Sequence, residues 1–155
     1  MNTAMNRFPF NIVGFDLDGT LVDSALDIGP AINLALRAAG RSEVTLDVTR
    51  GLIGGGTRLA LERGLAVTGG PLDPAQFEEV HALLLDHYTA NIAANTRPYP
   101  GCVAALDALA EHGCQLAVVT NKAEYLARKL LDELDLTPRF ASIVGGDTLG
   151  RTRAK

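Results

Sequence analysis

The chain has 155 residues, 47% hydrophobic and 21% charged, which is the profile of a globular protein with one core. A net charge of −4 offers no basic surface for nucleic acid or membrane, and no apolar run reaches the roughly 20 residues that cross a bilayer. Since Cys102 and Cys114 make no disulfide framework and the N-terminus lacks the apolar segment of a signal peptide, we expect a reduced, cytoplasmic protein.

Three short apolar segments predict β-strands. They lie at 11–15, 115–120 and 142–144. Each is a continuous apolar run, which favours strands that are buried on both faces, as in a parallel sheet.

Helical patterns occupy most of the chain between these strands. The predicted helices are 26–39, 57–67, 74–92, 101–112 and 123–134. In the third of them, apolar residues recur at spacings of three and four and form one face. Pro74 suits the first turn of that helix, and Asp73 is its candidate N-cap.

The order of the elements predicts the fold class. One strand is followed by a block with helical signals only, and then helix, strand, helix and strand alternate. Such alternation implies an α/β, Rossmann-like parallel sheet with right-handed crossovers. We therefore predict a core formed by 1–22 and 98–155, with a helical insertion at 23–97 that is named the insertion below.

Polar residues follow each predicted strand, where ligands bind in open parallel sheets. They are Asp16 and Asp18, then Thr120, Asn121 and Lys122, and last Gly146 and Asp147. Two carboxylates two residues apart project to one side of an extended chain, and a Mg²⁺ ion relieves their repulsion. Gly19 permits an unusual backbone angle or a close approach of substrate, and Thr20 offers a hydroxyl and an N–H group to a phosphate. For the aspartates alone, a turn followed by a helix cap is an equal alternative.

The stretch DLDGT at 16–20 resembles the first motif, DxDx[TV], of the haloacid dehalogenase superfamily, and DLDGTLVDS is similar to its phosphatase branch. This resemblance implies that Asp16 attacks phosphorus and forms an aspartyl-phosphate, while Asp18 acts as general acid and base. It also implies that both hold Mg²⁺, Asp16 through its carboxylate and Asp18 through its backbone carbonyl.

The stretch VVTNK at 118–122 resembles the second motif of that superfamily, in which Thr120 would hydrogen-bond the phosphoryl group and Asn121 would lie at the substrate. A Thr or Asn after a strand also suits a helix N-cap. The third motif is a lysine that neutralises the intermediate, and Lys155 is its candidate. Lys122 is the alternative cation, which we expect to be solvated or to lie outside the direct contacts.

The insertion matches a helical cap in position and size, and GLIGGGTRLALERGL at 51–65 is similar to the cap of phosphoglycolate phosphatases. Arg58 is then a candidate contact for a substrate carboxylate, although a flexible loop before a helix explains each glycine equally well. The resemblance implies Mg²⁺-dependent hydrolysis of 2-phosphoglycolate, a small phosphorylated metabolite, to glycolate and phosphate. The alternatives are a β-phosphoglucomutase-like or pyrophosphatase-like activity, or an inert, truncated remnant that binds phosphate or a protein partner.

The resemblance also implies parts that these residues do not supply. Relatives have the sheet order 5-4-1-2-3 and a later acidic pair that completes the metal site. Without strands 4 and 5 the first strand becomes an edge, and an exposed apolar edge predicts self-association. A nucleotide-binding Rossmann domain is disfavoured because DLDGT, and not GxGxxG, follows the first strand.

Overall fold

The computed structural model of the chain describes residues 9–150 and contains a three-stranded parallel sheet in the order β1-β2-β3. The strands are β1 at Ile12–Phe15, β2 at Gln115–Val119 and β3 at Ser142–Val144. Phe15 lies opposite Val118, which in turn lies opposite Ile143, so the carboxyl ends of all three strands meet at one edge. The predicted α/β class and the three predicted strands are confirmed.

Six α-helices are present in the described part of the chain. They are α1 at Ala25–Ala38, α2 at Leu46–Leu52, α3 at Thr57–Thr68, α4 at Pro74–Ala90, α5 at Cys102–Glu111 and α6 at Glu124–Glu133, with a short 3₁₀ helix at Thr137–Arg139. Five of them coincide with the predicted helices to within two residues. The sequence did not predict α2 or the 3₁₀ helix, each of which is shorter than the periodic segments on which the prediction rested.

Among residues 9–150 the sheet is covered on one face only, so the prediction that the strands are buried on both faces is wrong. Leu116 and Val118 point into the core, whereas Ile12, Gln115 and Ser142 on the opposite face are exposed. Helices α5 and α6 pack against β2 and β3. The apolar runs misled the prediction because small or partly exposed residues stand at the alternate positions, and a continuous run does not reveal which side receives a covering layer.

Helices α1 to α4 form the insertion, and α1 packs against the other three. The predicted apolar face of α4 is confirmed, since its buried residues are Phe77, Val80, Leu84 and Tyr88. Asp73 caps this helix as expected, because its Oδ1 accepts a hydrogen bond of 3.0 Å from the Gln76 backbone N–H. Among the described residues no helix combines the length and the apolar character needed to cross a membrane.

Two chain segments join the insertion to the core, and they run side by side. The Asp23 N–H donates to the Arg97 carbonyl at 3.1 Å, and the Tyr99 N–H donates to the Leu21 carbonyl at 3.0 Å. These backbone bonds hold the entry and exit of the insertion together, close to β1. The boundaries at 23 and 97 stay a prediction.

Asp27 fixes the end of the insertion onto its first helix. Its carboxylate is only 3% exposed and accepts bonds from the backbone N–H groups and the side chains of both Asn95 and Thr96, at 2.7–3.0 Å. Burial raises the pKa of Asp27, but the hydrogen bonds from Thr96 and Asn95 together outweigh burial and hold the pKa below its usual value. The carboxylate therefore supports the fold in its charged form.

We expect Asp27→Asn to lower the free energy of unfolding by at least about 2 kcal/mol near pH 7, because an amide cannot accept all the bonds that the carboxylate accepts. A carboxylate with a lowered pKa stabilises the fold above its unfolded-state pKa, and this contribution is lost as the pH falls through the lower, folded-state pKa. The difference between the two chains should therefore shrink below about pH 4.

Urea unfolding at several pH values measures this difference, with Asp86→Asn on the exposed side of α4 as the matched control. A gap between wild type and Asp27→Asn that is absent at pH 7, or that widens as the pH falls below 4, would contradict the assigned role.

Candidate active site

The parallel pairing of β1 with β2 brings two polar turns together. Phe15 and Val118 are partners in the register, so the residues that follow them leave the sheet side by side. The first turn is held by the buried side chain of Leu17, which is 0% exposed, and by a bond of 2.9 Å from the Gly19 N–H to the Val22 carbonyl. Gly19 has a φ of +76°, a conformation that glycine adopts without steric cost.

The two aspartates of this turn have different surroundings. Asp16 is exposed, and its Oδ1 accepts a hydrogen bond of 2.7 Å from the Leu17 N–H. Asp18 has a side chain that is only 13% exposed, and its buried Oδ1 has no aligned hydrogen-bond partner among the described residues. One carboxylate therefore faces solvent, where a substrate can reach it, while the other is held inside.

The ammonium group of Lys122 is the charge partner of Asp18. Its Nζ lies 3.1 Å from Asp18 Oδ1 and donates a hydrogen bond of 2.8 Å to the Tyr88 hydroxyl. Of the two expectations for Lys122, solvated or outside the direct contacts, the first is wrong, because Lys122 is 4% exposed. Burial alone would lower the pKa of Lys122. The Asp18 carboxylate and the Tyr88 oxygen raise this pKa by more than burial lowers it, so the net pKa lies above its usual value. The buried lysine is therefore charged.

Tyr88 contributes to this cluster from α4, in the insertion. It is 0% exposed, and burial raises its pKa, a shift that the nearby Lys122 charge reduces but does not cancel. A buried tyrosine hydroxyl requires a hydrogen-bond partner, and Lys122 supplies it. The sequence analysis identified Tyr88 only as part of the apolar face of α4, although a tyrosine on such a face was itself a signal that a polar partner lies nearby.

Thr120 ends β2 at the same edge. It is 5% exposed, its N–H donates to the Val144 carbonyl at 2.9 Å, and its Oγ1 accepts a bond of 3.2 Å from the Lys122 N–H. The hydroxyl hydrogen is not used by that last bond and can be donated to another acceptor. Thr120 therefore shapes the turn and keeps one donor for a ligand.

The end of β3 packs closely on this turn. A Cβ atom at Gly145 would lie 2.4 Å from the Glu124 nitrogen, and one at Gly146 would lie 2.5 Å from the Asn121 carbonyl oxygen, so only glycine fits. Asp147, which the sequence placed with the polar residues of this edge, accepts a bond of 2.7 Å from the Glu124 N–H. Asp147 therefore caps the first turn of α6.

Asn121 connects the core to the insertion. Its Nδ2 donates to the Gly54 carbonyl at 2.9 Å, in the glycine-containing loop that precedes α3. Asp18, Lys122 and this loop line a cavity of about 10 Å³. Such a volume holds at most about one water molecule, so the loop sits close over the cluster.

The predicted phosphate donors of the first turn are partly occupied by the turn itself. The Gly19 N–H bonds to the Val22 carbonyl, and the Thr20 N–H lies 3.3 Å from the Leu17 carbonyl. Thr20 is exposed, so its hydroxyl is accessible from solvent. The side chain of Thr20, and not its backbone N–H, is therefore the group that this conformation offers to a ligand.

Arg58 is placed apart from this cluster. Its guanidinium makes two bonds of 2.9 Å to the carboxylate of Glu78 and lies 5.0 Å from the centre of the Phe77 ring. It lines a separate cavity of about 370 Å³ in the insertion. A contact between Arg58 and a substrate stays a prediction, and it requires the Glu78 pair to open. Lys155 lies outside the described residues.

Asp16 and Asp18 are the residues that could hold a metal ion here. Their oxygens are hard donors: the Asp16 carboxylate is exposed to solvent, and Asp18, whose Oδ1 faces the Lys122 ammonium, can offer its backbone carbonyl. Mg²⁺ is often bound through one or two carboxylates while it keeps waters and substrate phosphate as its other ligands. The donor set therefore fits Mg²⁺, although no group of three or more His, Cys, Asp or Glu that could hold a metal occurs among residues 9–150.

Comparison with known proteins gives a match to a family model and matches to individual relatives. The family model described as haloacid dehalogenase-like hydrolase matches residues 13–154. A phosphoglycolate phosphatase of Agrobacterium fabrum is 44% identical over 134 residues, which are 86% of this chain and 58% of that protein. A phosphoglycolate phosphatase of Caulobacter vibrioides is 41% identical over 135 residues, 87% of this chain and 57% of that protein. The chain thus spans less than two thirds of the length of these relatives.

Solved structures agree with the fold. The crystal structure of a predicted phosphoglycolate phosphatase from Haemophilus somnus superposes with a TM-score of 0.82 and 29% identity, and the match covers 93% of this chain and 66% of that one. The family model covers both the turn that carries Asp16 and Asp18 and the turn that carries Thr120. The chain belongs to the haloacid dehalogenase-like hydrolase family.

Proposed function

We propose that the protein is a Mg²⁺-dependent phosphomonoesterase that hydrolyses 2-phosphoglycolate to glycolate and phosphate through an aspartyl-phosphate. The observation that carries this proposal is the pairing of an exposed carboxylate, Asp16, with a partly buried one, Asp18, at the carboxyl end of β1. A nucleophile must be reachable, and a proton donor works best where solvent is limited. The identity to phosphoglycolate phosphatases supports the choice of substrate.

The two aspartates divide the reaction. A carboxylate oxygen of Asp16 attacks phosphorus, the bond from phosphorus to the alkoxide oxygen breaks, and Asp18 gives its proton to that oxygen. In the second half Asp18 takes a proton from water, the water oxygen bonds to phosphorus, and the bond to Asp16 breaks to release phosphate. Asp18 returns to its protonated state, so the cycle balances.

Other residues bind the phosphoryl group and the rest of the substrate. Thr120 donates its free hydroxyl hydrogen to a phosphoryl oxygen, because its Oγ1 already accepts from the Lys122 N–H. Asp16 and Asp18 would hold Mg²⁺, which would supply positive charge that offsets the repulsion between the phosphoryl oxygens and the attacking carboxylate. We assign the charge-neutralising lysine to Lys155, and the substrate contacts to Gly19, Thr20, Asn121 and Arg58.

The free cysteines support our proposal for the compartment. Cys102 and Cys114 are both free thiols in the structure. Unpaired thiols are the normal state in a reducing environment, and we therefore place the reaction in the cytoplasm.

Asp16→Asn should reduce phosphate release from 2-phosphoglycolate with Mg²⁺ by at least about 10³-fold, because an amide cannot form the acyl phosphate. The assay measures inorganic phosphate, with Asp86→Asn on exposed α4 as a charge-matched control that should retain full activity. Pyrophosphate in the same assay, and β-glucose 1-phosphate followed by its conversion to glucose 6-phosphate, distinguish the alternative activities.

Turnover of 2-phosphoglycolate by Asp16→Asn at the wild-type rate would exclude the proposed nucleophile. A wild-type chain that prefers pyrophosphate or a hexose phosphate would exclude the proposed substrate but keep the nucleophile.

Thr120→Val should lower kcat about 10²-fold, the usual effect of removing one hydrogen-bond donor from a developing charge. Thr120→Ser keeps the hydroxyl and should recover most of that loss. Steady-state kinetics on both variants make the comparison, and equal losses in the two would show that the hydroxyl is not the active feature.

We propose self-association through β1, which pairs only with β2 in the described part of the chain. Ile12 is 66% exposed on this strand, and a free apolar edge can pair with a second copy. Sedimentation velocity over a range of concentrations should show wild-type dimers that Ile12→Lys abolishes. Val67→Lys on α3, where the wild-type side chain is 62% exposed, should leave the dimers intact, and a wild-type chain that stays monomeric at every concentration would overturn the proposal.

A further inference from the structure

We propose that Tyr88 and Lys122 are positioning residues, through which helix α4 of the insertion sets the orientation of the Asp18 carboxylate. The inference rests on the proposed function, because it concerns the residue assigned there as the proton donor. It assigns a positioning role to Tyr88 and Lys122, and it explains how the insertion affects the proton donor in the core.

The side chains of Tyr88, Lys122 and Asp18 contact one another in series, away from most of the solvent. Tyr88 is 0% exposed and Lys122 is 4% exposed, and the Tyr88 oxygen accepts a bond of 2.8 Å from the Lys122 ammonium. That ammonium lies 3.1 Å from Asp18 Oδ1. Lys122 contacts both Tyr88 and Asp18, so a displacement of the tyrosine is transmitted to the carboxylate through the lysine.

Lys122 decides the direction in which Asp18 points. Asp18 Oδ1 has no aligned hydrogen-bond partner among the described residues, so the attraction of the ammonium is the interaction that orients it. With Oδ1 directed at the ammonium, the other oxygen of Asp18 is the one available for proton transfer to the substrate. An error in this orientation changes the distance over which the proton moves.

Tyr88 in turn decides where the ammonium lies. A lysine side chain has four rotatable bonds and loses rotamer freedom when it is held in one place, so it needs a fixed acceptor. The Tyr88 hydroxyl is such an acceptor because its ring is packed in the core on the apolar face of α4. The ring also lies beneath the ammonium, with 4.6 Å between Nζ and the ring centre.

Tyr88 links the orientation of Asp18 to the position of the insertion. Tyr88 belongs to α4, whereas Asp18 and Lys122 belong to the two core turns. The bond from Asn121 to Gly54 provides a second link between the same core turn and the insertion. Asp18 is therefore held in this orientation only while the insertion lies where the structure shows it.

Tyr88→Phe tests the proposal, since it removes the hydroxyl and keeps the ring. NMR on the chain labelled with ¹³C and ¹⁵N follows the Asp18 carboxyl carbon and the Lys122 Nζ, both assigned by substitution. We expect both signals to shift, kcat for 2-phosphoglycolate to fall about tenfold and KM to stay within about twofold, because orientation and not binding is lost. Tyr125→Phe, at a tyrosine that is 52% exposed on α6, is the matched control and should change neither.

A substitution of Asp18 should also reveal the coupling between Asp18, Lys122 and Tyr88. Asp18→Asn should move the Lys122 Nζ and the Tyr88 ring signals, and this variant needs no change in the insertion. Asp18 and Lys122 signals that stay in place in Tyr88→Phe, or an unchanged kcat alongside shifted signals, would overturn the positioning role. If the signals shift while the wild-type chain hydrolyses no phosphate ester, the proposed function fails and the structural coupling stands.

Discussion

The parallel register between β1 and β2 is the constraint on which the rest of the structure depends. It places Phe15 opposite Val118, so that the turn with both aspartates and the turn with Thr120 and Lys122 leave the sheet at the same edge. After the third strand, Gly145 and Gly146 pack against the turn that follows β2, where any side chain would collide with backbone atoms. Backbone pairing therefore brings together two turns that lie more than a hundred positions apart in the sequence.

The register also creates an electrostatic problem that the insertion solves. Bringing Asp18 and Lys122 under the loop removes both from water, which is costly for either charge alone. Their pairing and the Tyr88 hydroxyl offset that cost and keep the lysine protonated. A second buried carboxylate, Asp27, fixes the end of the insertion onto its own first helix, with backbone N–H groups in place of an ammonium. The bonds from Lys122 to Tyr88 and from Asn121 to Gly54 join the insertion to the core.

Local pattern was enough to predict the strands, five helices and the position of the two aspartates directly after the first strand, since each depends on residues close together in the chain. It failed where the answer depends on a distant partner. Lys122 is buried with Tyr88, which is 34 residues away and accepts a hydrogen bond from its ammonium, and Arg58 is engaged by Glu78, 20 residues away. The open face of the sheet was missed for the same reason, because the residues of a strand do not show which side another element will cover.

The phosphorylation state of Asp16 tests the central claim most directly. Radiolabelled 2-phosphoglycolate and Mg²⁺ are mixed with an excess of the chain, quenched in acid within a single turnover, and the labelled residue is located by peptide mass spectrometry. We expect a transient phosphoryl group on Asp16 that rises before phosphate release and is absent from Asp16→Asn. Release of phosphate from a chain that carries no label at any time, or a label on another residue, would contradict it.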